Sequence, residues 1–101
     1  MADPQSILIC EDKQKIIGSV SLIENGRVAW LFRFAVMQCS EEQEATKLLH
    51  QTACDILASR GHTEVLVYTP QNDARLEKRY SDLNMHKGSA YTCFWQEIGV
   101  A

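Results

Sequence analysis

Residues 28–49, VAWLFRFAVMQCSEEQEATKLL, decide the fold. Over Val28–Met37, apolar residues fill both alternating sets. Val28, Trp30, Phe32, Phe34 and Val36 make one; Ala29, Leu31 and Ala35 share the other with Arg33. A period of two with both sets apolar predicts a strand inside a sheet, covered on each face. The period then changes. Ala45, Leu48, Leu49, Thr52, Ala53, Ile56 and Leu57 recur three and four apart, one apolar stripe of a helix. Ser40 and Gln43 have the spacing of a capping box at its start, and Gly61 can end it in a left-handed conformation.

Upstream, Ile7–Cys10 reads as a short strand closed by the polar turn Glu11–Lys15. Ile16–Glu24 alternates from Gly18 onward, with Val20 and Leu22 opposite Ser19 and Ser21. Asn25-Gly26 follows and predicts a two-residue type I′ hairpin, whose central residues both need positive φ. Downstream, Glu64–Pro70 is a further buried strand that Pro70 stops. Asn72 can cap a second helix carrying Leu76, Tyr80 and Leu83, and Asn84 suits the reversal after it. Ala90–Ile98 reads as the last strand. The order is β-β-β-α-β-α-β: an antiparallel meander, then a right-handed helical crossover to a parallel neighbour. This is an α+β fold with a mixed sheet.

At 101 residues the chain is one domain, 1–101. Its net charge of -3 provides no electrostatic footprint for nucleic acid or an anionic membrane surface, so neither is an expected partner. Cys10, Cys39, Cys54 and Cys93 are far apart and, with His50, His62 and His86, give no metal-ligand spacing. Buried reduced thiols are the expectation, and no metal. The N-terminus carries neither a basic region nor a long apolar run, which predicts a cytoplasmic protein.

The element order, with two local matches, resembles the GCN5-related N-acetyltransferase (GNAT) superfamily. The first match is "ILASRGHTEVLVYT", where the long helix turns into the next strand. The second is "NDARLEKRYSDLNM" from Asn72, similar to the family's asparagine-to-"LYekxGF" segment; Asn84 stands for Gly and Met85 for Phe. The resemblance covers roughly residues 6 to 98 and implies that most of the family's N-terminal strand and two helices are absent. It implies acetyl-CoA as cofactor and an amine or a protein as acceptor. The family's pyrophosphate loop, Arg/Gln-x-x-Gly-x-Gly/Ala, falls on Ser40, Gln43 and Ala45. Phe34, Ala35, Val36 and Asn72 complete the implied cofactor contacts. Tyr80 falls on the tyrosine that often acts as general acid towards the departing thiolate.

Gln43 puts a side chain where a phosphate loop usually has none. Glu41, Glu42 and Glu44 can satisfy the helix dipole themselves. The same residues therefore support two expectations. One is a small acetyl-CoA-dependent N-acetyltransferase. The other is a GNAT-like binding or assembly module without catalysis, such as viruses and mobile elements carry as auxiliary proteins. Such a module would use Trp30, Phe94 and Trp95 to dimerise or to dock on a larger protein. No general base is evident, Glu64 being only a loose candidate. Cys39 before a helix N-terminus is a weak nucleophile candidate beside those glutamates. His50, off the helix stripe, is expected to be solvated. Arg33 must find an acceptor or reach water.

Overall fold

The computed structural model describes residues 6–99, so the two ends of the expected 1–101 domain lie outside it. The described residues fall into two compact units, one up to Tyr68 and one from Thr69. The first is built from β1 (Ile7–Asp12), β2 (Lys15–Glu24), β3 (Ala29–Val36) and α1 (Glu42–Ser59); the second contains α2 (Ala74–Asp82). The strands form an antiparallel sheet in the order β1-β2-β3, and α1 packs on one face of it. No helix of the described residues is long and apolar enough to cross a membrane.

The meander is present, but its turns exchange roles. The tight turn is Lys13-Gln14, with φ of 52° and 66° between the paired Asp12 and Lys15. This is the two-residue geometry expected for Asn25-Gly26. At Asn25-Gly26 only Gly26 has positive φ, and Glu24 pairs with Ala29 across a longer loop. The reason lies in the Asn25 side chain. Its Oδ1 accepts hydrogen bonds from the Arg27 and Val28 amides at 3.0 and 2.9 Å, a local alternative to the tight turn.

The faces of β3 also depart from strict alternation. Ser19 pairs with Ala35 and Ser21 with Phe32, so β3 holds one residue more than β2 across this interval. Arg33 takes up the extra length with φ of 53°, a β-bulge. The bulge moves Phe34 to the face that already carries the buried Ala29 and Leu31. Phe32 and Ala35 are left exposed, so β3 is not covered on both faces as its composition suggested.

The core of the first unit lies between the sheet and α1. Ile17, Val20, Leu22, Ala29, Leu31 and Phe34 from the strands meet Ala45, Leu49, Ala53 and Leu57 from α1. Burying a leucine such as Leu57 contributes roughly 1.5–3 kcal/mol. Leu48, expected in the stripe, is 60% exposed, and Thr46 is buried instead. Its hydroxyl donates to the Glu42 carbonyl at 2.7 Å, which makes a polar residue tolerable there.

Both helices end by the same device. After α1 the Gly61 amide bonds the Ala58 carbonyl and the His62 amide the Leu57 carbonyl, with Gly61 at φ of 90°. After α2 the Asn84 amide bonds Ser81 and the Met85 amide bonds Tyr80, with Asn84 at φ of 64°. Each is a Schellman motif, so asparagine does at the second end what glycine does at the first. The cap of α2 is Asp73 rather than Asn72. Its Oδ1 accepts from the Leu76 amide at 3.1 Å, while Asn72 sits one residue earlier at φ of 65°.

The two later strands are reduced. Of the expected 64–70 strand, one parallel bridge forms, Trp30 to Leu66. The Leu31 amide donates to the Leu66 carbonyl at 2.8 Å and the Leu66 amide to the Ala29 carbonyl at 2.9 Å. The parallel direction is as predicted. Ala90–Ile98 forms no strand: Tyr91, Phe94, Trp95 and Ile98 are all more than four-fifths exposed. Apolar, β-prone composition gives a strand only when backbone groups find a partner edge, and these residues have none among those described.

Candidate functional site

The loop from β3 to α1 is set by three hydrogen bonds. The Met37 amide reaches back to the Ile17 carbonyl, the Glu42 amide bonds the Cys39 carbonyl, and the Ala45 amide starts the helix on the Glu41 carbonyl. The N-cap is therefore Glu41, with no side-chain cap hydrogen bond, and the expected Ser40–Gln43 capping box is not made. The Ser40 hydroxyl is used differently. It lies beside the Glu41 carboxylate, as do the Glu41 backbone amide and the Cys39 thiol. These donors, led by Ser40 and helped by the charge of Lys13, hold the Glu41 carboxyl below its ordinary pKa.

This arrangement bears directly on whether a diphosphate fits. An anion at a helix N-terminus is held by amides that the helix leaves unpaired. The amides of Gln43 and Glu44 occupy such positions in the first turn of α1 and have no partner among the described residues. The backbone fits the group. The side chains are less suited: Glu41 already uses the polar donors of the loop, and Glu42 and Glu44 add negative charge to the first turn. Gln43 and Ser40 are exposed, whereas Ala45 is buried at 3% exposure and belongs to the core.

Phe34 and Val36 face α1. Val36 pairs with Gly18, and a methyl group built on Gly18 would lie 3.3 Å from Val36 Cγ2 and 2.9 Å from Leu49 Cδ1. Gly18 thus lets the helix seat close against the sheet just below the loop. Ala35 is on the opposite, exposed face. The bulge at Arg33 puts Phe34 and Val36 on the face of Ala29 and Leu31 rather than that of Phe32, and strict alternation in the sequence gave no sign of it. Arg33 itself is exposed, its guanidinium 5.2 Å from the Phe32 ring centroid, so it reaches water and lies over an aromatic face.

Asn72 and Tyr80 belong to the second unit. Asn72 is exposed in the turn before α2, and Tyr80 is the buried residue of that helix, 9% exposed. Burial raises the Tyr80 pKa above the ordinary 10.0, with Arg79 acting against the rise. The hydroxyl is therefore fully protonated at neutral pH, the state a proton donor needs.

Two clusters had no signature in the sequence. Glu24, at the end of β2, accepts from Arg60 Nη1 at 2.5 Å and lies 3.1 Å from His62 Nε2, joining the hairpin to the chain that leaves α1. Its partners Arg60 and His62 line a cavity of about 210 Å³ together with Arg27, Thr63 and Glu64. The partners are 36 and 38 residues from Glu24, beyond any local pattern. The second cluster is His50 and Cys54, one turn apart on α1 with Nε2 and Sγ 3.6 Å apart. His50 is half-buried rather than solvated, and burial lowers its pKa while raising that of Cys54. Both shifts favour a neutral pair over thiolate and imidazolium. The cysteines are free thiols, but none is fully buried: Cys10, Cys39 and Cys54 are intermediate and Cys93 is exposed.

No family model matches the chain, and no curated protein matches it. Solved structures do. An aminoglycoside acetyltransferase, meta-AAC0020, from an uncultured soil metagenomic sample superposes over 91% of this chain with a TM-score of 0.76 and 17% identity. The aminoglycoside 6'-N-acetyltransferase AAC(6')-IG of Acinetobacter haemolyticus matches 93% of the chain at 0.70 and 17% identity. The aminoglycoside 6'-acetyltransferase type Ii matches 79% at 0.66 and 16%. The chain spans 64%, 72% and 55% of the lengths of those proteins, respectively. The chain thus shares the α+β fold of these acetyltransferases, as the element order implied.

Proposed function

We propose that the chain binds acetyl-CoA at the start of α1 and transfers the acetyl group to an amine. The observation that carries this reading is the superposition on an acetyltransferase over 91% of the chain at a TM-score of 0.76. The unpaired amides of Gln43 and Glu44 supply an anion site for the diphosphate. Phe34 and Val36 lie on the α1 side of the strand that leads into that turn. In such a transfer a neutral amine nitrogen would bond the thioester carbonyl carbon, the carbon–sulfur bond would break, the nitrogen would lose one proton to water, and the thiolate would take one proton. The role assigned to Tyr80 is to give that proton.

Calorimetric titration with acetyl-CoA tests the reading, on the wild type and on Glu41→Gln. The variant lacks one of the negative charges at the start of α1, so it should bind more tightly than the wild type. Turnover is then followed with a panel of amines that includes aminoglycosides, the class named for the structural neighbours. Tyr80→Phe should lower kcat more than it weakens cofactor binding. The absence of heat and of thermal stabilisation at millimolar acetyl-CoA in both proteins would end this reading.

A second reading, a GNAT-fold binding module without catalysis, is favoured by the carboxylates of Glu41, Glu42 and Glu44 gathered at the start of α1. In that reading the negative charge of Glu41, Glu42 and Glu44 keeps an anion away from the start of α1, and the exposed Phe94 and Trp95 serve a protein partner or a second copy. Turnover with any amine that is lost in Tyr80→Phe would overturn it.

A further inference from the structure

We draw no further inference here: the strongest candidate, the apolar patch of Ile7, Ile9, Ile23 and Phe32 on the face of the sheet opposite α1, is 43–59% exposed, and nothing in the structure shows what covers it.

Discussion

Gly18→Ala should destabilise the protein although alanine suits a strand interior better than glycine wherever its methyl has room. The added methyl would lie 2.9 Å from Leu49 Cδ1 and 3.3 Å from both the Ala35 carbonyl oxygen and Val36 Cγ2. Leu49 is 3% exposed and has little room to withdraw, and the carbonyl belongs to the β3 backbone. Overpacking of this kind costs about 1–3 kcal/mol. Removing a glycine from the unfolded chain returns roughly 0.4–1 kcal/mol. The net loss is about 1.3 kcal/mol at mid-range, within a span of roughly 0–2.6 kcal/mol, and at mid-range lowers Tm by roughly 5–10 °C for a domain of this size. A double-mutant cycle isolates the contact. Leu49→Ala alone should cost about 2–5 kcal/mol through the space it leaves. With both changes, the methyl introduced by Gly18→Ala partly fills that space, so the loss should be at least about 1 kcal/mol smaller than the sum of the singles. Urea denaturation of the four proteins measures this. A Gly18→Ala protein melting within about a degree of wild type, or singles that add to within about 0.5 kcal/mol, would refute the close seating of α1 on β2.

The bulge at Arg33 predicts that Arg33→Val is destabilising by about 1–3 kcal/mol, because a β-branched residue resists positive φ, while Arg33→Gly is tolerated; denaturation midpoints of the pair decide it. Asp73→Ala should remove the cap of α2 and cost about 1 kcal/mol, seen as faster amide exchange over residues 74–77 than in Asp73→Asn. Glu24 is held below its ordinary pKa of 4.5 first by the Arg60 hydrogen bond and then by that of His62. A depressed carboxylate stabilises the fold above its unfolded pKa, and that contribution is lost as pH falls through the folded value. Wild type should therefore lose more Tm than Glu24→Gln between about pH 5 and the acid limit of folding. Parallel curves for the two proteins would mean that the three-residue contact adds nothing.

The elements legible from sequence were those fixed by local chemistry. The apolar stripe placed α1, the Ile7–Val36 run placed the meander, and Gly61 and Asn84 placed the two helix ends, since each depends on a few neighbouring φ values and backbone donors. The parallel sense of the 64–68 segment followed from the helix between it and β3. The choices that composition left open were settled by partners distant in the chain. The face of Phe34 depended on an extra residue at Arg33, set by pairing with β2. The state of the loop before α1 depended on where the Glu41 carboxylate turned, and the spacing that suggested a Ser40–Gln43 box could not report it. The 90–98 segment shows the same limit in reverse, for strand-prone residues remain irregular without an edge to bond. Sequence determined what each segment prefers, because propensity and periodicity are short-range properties. Tertiary structure decided which groups meet, because a hydrogen bond or a packed contact needs two partners and the chain order names only one.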